Sequence, residues 1–431
     1  MHSFGFRRKA ILLQALTMIA LASAPGEASA YTLKTLHSFC TENSCGDGDN
    51  PHAGLVMDAS GNLYGTTEQG GKYNSGLVFK LIPNAKKTKY TEHILKNFCA
   101  KTDCTDGSFP EAGLILGADG SLVGTTGGGG KYGGGAVFKM TPLANGWGYA
   151  VVHSFCHDAS CTDGSEPNIG LAYAGQASGA LWDGSSPLFG TTFAGGASNR
   201  GAVYKLTHGG SGWSYQTIHS YSSGFHGGDL LVDMSGNLIG TTLLGGANSG
   251  GTLYRLASGT WSETTLHNFC AEANCADGAQ PMGRLLMDDA GNLFGTASVG
   301  GAGAHCVSAS GCGTAYERTA GGKYKVIYNF CSLSNCKDGE IPSAGVIMDT
   351  AGDLVGTAYE GGTGSGGTAF SLHHGSKWTE TVLYDFCSAL DCTDGAGPIA
   401  PLIVNASGDL FGTGAAGGAN GDYGTVFELK P

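Results

Sequence analysis

Gly54-Leu55-Val56-Met57-Asp58-Ala59-Ser60-Gly61-Asn62-Leu63-Tyr64-Gly65-Thr66-Thr67 reads as two short apolar runs joined by a four-residue turn. Gly and Asn in the turn tolerate the positive φ that hairpins require. The Gly-Thr pair closing the second run recurs at Gly124-Thr125, Gly190-Thr191, Gly240-Thr241, Gly295-Thr296, Gly356-Thr357 and Gly412-Thr413. The mean spacing is about 58 residues, in the range of solenoid and propeller repeats and above the roughly 40–45 of WD40 units.

Outward from this hairpin, each unit carries four strand-like runs separated by turn residues. In the first they are Gly54–Asp58, Leu63–Thr67, Leu77–Leu81 and Tyr90–Phe98, with a Gly70-Gly71 loop between the second and third. A four-stranded meander with two apolar faces is not stable alone. Stacking such sheets radially buries both faces and protects the edges, which predicts an all-β, seven-bladed β-propeller with four-stranded blades. The repeated Gly of the second strand is expected where neighbouring blades approach closely.

The register predicts how the ring closes. An aromatic stands five residues before an aliphatic in the fourth strand: Tyr90 before Leu95, Trp147 before Val152, Trp213 before Ile218, Trp261 before Leu266 and Trp378 before Leu383. Gly322 before Ile327 breaks the rule, whereas Tyr31 before Leu36 obeys it. The chain finishes on a third strand, Thr425–Leu429, so Tyr31–Phe39 is expected to complete the last blade. An open solenoid would need capping units, and none is visible.

Residues 1–30 read as a cleaved signal peptide: Arg7, Arg8 and Lys9, then the apolar Ala10–Ala22, then Ala28-Ser29-Ala30. Residues 31–431 form a single propeller domain. Removing the leader takes three basic residues and one acid, Glu27, from totals of 23 and 35, leaving 20 against 34, a balance of −14. That charge argues against nucleic acid and anionic membrane surfaces as partners. No later segment is apolar enough to span a membrane, and the chain is expected to be a secreted or periplasmic monomer, released rather than anchored.

All fourteen cysteines follow the leader. Twelve form Cys-x4-Cys pairs: Cys40/Cys45, Cys99/Cys104, Cys156/Cys161, Cys270/Cys275, Cys331/Cys336 and Cys387/Cys392. Cys306/Cys312 sits in an insertion of the fifth unit, and the fourth unit has none. An even count in an exported chain implies disulfides. Zinc would want four ligands in one place, and these pairs are spread around a ring, so no metal or cofactor is assigned.

The Gly-Gly loops and the Cys loops fall on one face, and ligand sites favour long loops on a rigid scaffold. Asp47, Asp106, Asp163, Asp277, Asp338 and Asp394 recur there; an Asp-Gly turn is the favoured reading over a cation ring. His37, His153, His219 and His267 share a fourth-strand position with Lys96, Tyr328 and Tyr384, an exchange that points to packing. Better candidates break the repeat. Asp229 and Arg284 open the first strand where four units have Gly, and His52, Glu111, Asn168 and His226 are expected nearby at the axial mouth. They could bind a ligand or work as acid, base and anion clamp, although a salt bridge closing the channel is the favoured alternative. On the loops, Tyr73, Tyr132, Arg200, His305, Tyr359 and Tyr423 offer surface for glycans or proteins.

No Gly-x-Ser-x-Gly, His-Glu-x-x-His, P-loop or dinucleotide fingerprint is present. The phrase from Gly54 to Thr67, with Gly70-Gly71 and Val78-Phe79-Lys80-Leu81, resembles the GloVer tandem-repeat family of exported bacterial proteins. The resemblance implies a secreted propeller-like protein and no particular activity, because fold does not set function. The sequence therefore leans toward a non-catalytic binding or scaffold module recognising an extracellular glycan or protein through the disulfide-loop face. The alternative is a lyase or hydrolase acting on extracellular polysaccharide at the axial mouth.

Overall fold

The computed structural model describes residues 31–41, 44–210, 212–222, 228–308 and 310–431. The leader reading, residues 1–30, lies outside them. Seven antiparallel four-stranded sheets form seven blades. The first is Val56–Met57, Leu63–Thr67, Leu77–Pro83 and Tyr90–Asn97. The innermost strand is only two residues long in every blade, shorter than the sequence run suggests.

The seventh blade takes Ile403–Val404, Leu410–Gly414 and Thr425–Lys430 from the C-terminal end and Thr32–Ser38 from the N-terminal end. Thr32 pairs with Lys430 and Ser38 with Thr425 in one antiparallel ladder. Apolar clusters fill the blade junctions. Where the ends meet, Leu36 and Phe39 of blade seven bury against Leu55, Leu63 and Phe79 of blade one. Each such fully buried side chain contributes roughly 1.5–3 kcal/mol.

The repeated Gly of the second strand has a nearer cause than blade contact. A Cβ on Gly65 would lie 2.5 Å from the Phe79 ring, and on Gly412 2.6 Å from Phe427. The glycine makes room for the aromatic of its own third strand, which then fills the junction. The repeated Thr reaches across the junction instead: Thr66 Oγ1 donates to Ala112 O at 3.3 Å and Thr296 Oγ1 to Ala344 O at 2.6 Å.

Every fourth strand carries a β-bulge at the same place. The pairing register slips between Lys96 and Ile94, skipping Leu95, and likewise at Leu36, Val152, Ile218, Leu266, Ile327 and Leu383. A bulge resets the alternation and re-aims the following side chain. That side chain is the His, Lys or Tyr that varies among the repeats.

Candidate functional site

The bulge aims its follower at the Cys loop. Lys96 meets Asp106; His153 and His267 lie 3.2 Å from Asp163 and Asp277; Tyr328 donates to Asp338 at 2.7 Å and Tyr384 to Asp394 at 2.8 Å. His37 stands 3.5 Å from Asp47. The exchange of His, Lys and Tyr is thus not simple packing. The position requires a donor to a buried carboxylate, and all three side chains supply one.

The same aspartates accept backbone N–H groups from the turn after the first cysteine. Asp338 takes those of Ser332 and Leu333, and Asp277 those of Ala271 and Glu272. Burial alone would raise the Asp47 and Asp106 carboxyls; hydrogen bonds from His37 and Thr41, and from Lys96 and Lys101, hold them below their usual values. Each of these six loops is then closed by its disulfide, Cys40–Cys45, Cys99–Cys104, Cys156–Cys161, Cys270–Cys275, Cys331–Cys336 and Cys387–Cys392, and a seventh, Cys306–Cys312, closes the insertion in the fifth unit's Gly-Gly loop. The aspartate ring therefore serves the loops, with its lone pairs committed to them.

The neighbouring blade completes each cluster. Tyr215 stacks flat on His153 at 3.9 Å between ring centres, and Tyr324 on His267 at 3.6 Å. Glu92 and Glu380 take that place at two other junctions. Burial pushes the Glu92 carboxyl up to about 7 and the Glu380 carboxyl up to about 8. His37 Nε2, 4.0 Å from Glu92, Asp47 and Glu92 bring three ligand types within 4.8 Å of one another. In the fourth unit, which lacks the Asp, His219 instead lies 3.0 Å from Glu263.

At the loop-face mouth, His52 Nδ1 lies 3.7 Å from Glu68, which also accepts from Asn50 at 2.9 Å. Burial lowers the His52 imidazole, with Glu68 opposing the shift. Asn168 donates to Glu111 at 3.3 Å. Burial raises the Glu111 carboxyl, and the charge of Glu68 adds to it. The structure thus joins His52 with Glu68, and Glu111 with Asn168. His226 lies outside the described residues.

Asp229 and Arg284 do not form the expected salt bridge. Asp229 Oδ1 accepts the Gly170 N–H at 2.9 Å, and among the described residues no carboxylate lies within 4.0 Å of the Arg284 guanidinium. The physical reason is that a short Asp side chain finds the amide of the adjacent Gly170 first. The channel is open: a cavity of about 470 Å³ lies on the axis, lined by first-strand residues of all seven blades.

Tyr73, Tyr132, Tyr359 and Tyr423 are exposed on the Gly-Gly loops, as is His305, whose N–H donates to Cys331 O. Arg200 is half-buried. Sequence reading missed Phe109, Phe193 and Met282, exposed beside the same mouth. It also missed the hairpin of the third unit, residues 174–187, where the other units need five residues between the same strands. Its Trp182 is fully buried against blade two, donating its N–H to Leu116 O at 3.2 Å and accepting from Ala118 at 2.8 Å. The long spacing between Tyr173 and Leu188 was the available signal.

A family model described as Gloeobacter/Verrucomicrobia repeat matches residues 26–182 and 174–332. Comparison with curated protein sequences finds no match. Among solved structures, the chain is similar to a fungal alcohol oxidase in complex with copper: 13% identity, TM-score 0.54, covering 93% of this chain and 76% of that one. A putative 6-phosphogluconolactonase from Bacteroides uniformis gives 11% identity and TM-score 0.47 over 78% and 84%. A nidogen/laminin complex gives 12% and 0.40 over 69% and 86%. At such identities the likeness is one of fold alone.

Proposed function

The chain belongs to the Gloeobacter/Verrucomicrobia repeat family, and on that premise we propose that it is a secreted, non-catalytic binding or scaffold propeller. It recognises an extracellular glycan or protein through its disulfide-loop face. One observation carries this reading: the distribution of exposed apolar side chains. Tyr73, Tyr132, Tyr359 and Tyr423 stand on the Gly-Gly loops, Phe109, Phe193 and Met282 beside the mouth, and Leu333 and Leu390 on the Cys loops. Tyr132 is 45% exposed and Leu390 83%. Exposed apolar clusters rimmed by polar groups mark interaction sites, and rigid aromatics supply contact area at low entropic cost. The backbone beneath is stiffened by a short disulfide in six of the seven Cys-loop positions, which limits the ordering cost of binding.

The charged groups weigh against catalysis at the axial mouth. Asp229 is held by the Gly170 N–H, and His52 by Glu68. Seven disulfides fit an oxidising compartment, and no helix among the described residues is long and apolar enough to cross a membrane. The test is glycan-array and protein-array binding of residues 31–431, with a turnover assay on every hit. Binding that falls at least tenfold in a Tyr73→Ala/Tyr132→Ala/Tyr359→Ala variant, without turnover, is the expected result. Turnover of a bound glycan, or binding indifferent to these tyrosines, overturns the reading.

A further inference from the structure

The axial cavity stands apart from the loop-face aromatics. Its wall is built from the innermost strands, with Met57, Leu231, Met287, Ile347 and Met348 among the side chains that line it. Its volume of about 470 Å³ falls within the range of small-molecule sites. One charged residue lines it, Arg284.

That arginine is placed unusually. Four of the seven units open the first strand with Gly, and the blades come close there: a Cβ on Gly345 would lie 2.1 Å from Arg284 O, and on Gly54 3.2 Å from Pro401 O. Among the described residues Arg284 has no carboxylate at ion-pair distance. Asp229 is turned to the Gly170 N–H. Tyr173, also on the cavity wall, donates its hydroxyl to Ala180 O at 2.7 Å, and the Asp229 carboxylate feels the Arg284 charge without reaching it as an ion pair. The acids at the hairpin ends of the same strands are committed to their own turns. Asp58, Asp233, Asp288 and Asp349 each accept two backbone N–H groups there. Ala180 and Leu181 of the third-unit hairpin also line the cavity, adding apolar surface that the other hairpins lack.

We propose that this channel is a binding site for a small amphiphile, with its anionic head on Arg284 and its apolar body against the methionine and leucine wall. Charge complementarity selects the head: a cation in low-dielectric surroundings gains most from an anion that brings its own hydrogen-bond acceptors. The wall selects the body, because, Arg284 apart, Tyr173 and Gln176 are the polar side chains among its described lining residues and the rest are mostly aliphatic.

The probes are decanoate and decanol, each titrated below its aggregation limit against 1-anilinonaphthalene-8-sulfonate fluorescence on residues 31–431. Decanoate is expected to bind about tenfold or more tighter than decanol. Arg284→Met should erase that preference and leave decanol affinity within about twofold, and Met348→Trp, which fills the channel, should weaken both ligands. Equal affinity for decanoate and decanol in the unaltered protein overturns the proposal without recourse to a variant. So does a carboxylate preference that survives Arg284→Met. Glycan or protein binding at the loop tyrosines is read in a separate assay, so either reading can fail alone.

Discussion

Thr413 Oγ1 donates to the carbonyl oxygen of Ala53 across 3.0 Å, tying blade seven to blade one. The bond repeats one made by Thr66 to Ala112 within the continuous chain, but here it spans the seam where the ring closes. A Val at 413 keeps the shape and leaves a buried carbonyl short of a donor. Thr413→Val should cost about 1–2 kcal/mol in urea unfolding. Thr191 is the control: among the described residues its buried Oγ1 has no hydrogen-bond partner, so Thr191→Val should be neutral or slightly stabilising. Equal losses at both positions would show that fitting the added methyl, not losing the hydrogen bond, sets the cost.

The donor rule at the bulge yields a second prediction. His153→Tyr preserves a donor toward Asp163, as Tyr328 does toward Asp338, and should be tolerated within about 1 kcal/mol. His153→Leu leaves Asp163 buried without that partner and should cost roughly 2–3 kcal/mol. Thermal unfolding of the pair decides it. A Leu variant as stable as the Tyr variant would reduce the position to packing.

These clusters also mark how far the sequence could be read. Seven copies of Gly-Thr, and the aromatic five residues before the aliphatic in six of the seven fourth strands, point to the blade number and the shared last blade, because both patterns repeat locally. The bulge was invisible: Leu95 and its counterparts look like ordinary core residues, and only pairing reveals the slipped register. Without it the following His, Lys or Tyr had no assigned direction, and the Asp ring stayed separate from it. Arg284 was singled out for breaking the repeat, but whether it met Asp229 depended on which amide the shorter side chain reached. The loop-face apolar residues Phe109, Phe193 and Met282 come from three different offsets, so no single motif gathers them.

The Cys loops should behave independently. Replacing Cys156 and Cys161 by Ala removes one six-residue closure and should cost roughly 2 kcal/mol in the chain-entropy model. Closure of the ring does not depend on it, because Thr32–Ser38 holds Thr425–Lys430 by backbone pairing. Full reduction should therefore lower the melting temperature while the β-sheet circular dichroism at 25 °C persists. Collapse of that signal on reduction would assign the disulfides a role in the topology itself.

The carboxyl of Glu92 gives stability a definite pH dependence. Its folded value is pushed up to about 7, chiefly by burial, against an ordinary 4.5. The folded state therefore binds more protons than the unfolded state between those values, and stability falls as pH rises from about 4.5 through 7. The full loss corresponds to about 3 kcal/mol at most. Glu380, pushed up to about 8, acts in the same direction. His52, His153 and His267 act oppositely: burial lowers each, so the stability tied to their neutral forms is present above 6.5 and is lost as pH falls through the folded values. Glu92→Gln keeps the shape and cannot ionise. It should match the unaltered protein at pH 5 and exceed it by about 1–3 kcal/mol at pH 8, measured by urea unfolding. A variant less stable than the unaltered protein at pH 8 would mean that the Glu92 carboxylate, beside His37 at the seam, is a net stabilising ion-pair partner there.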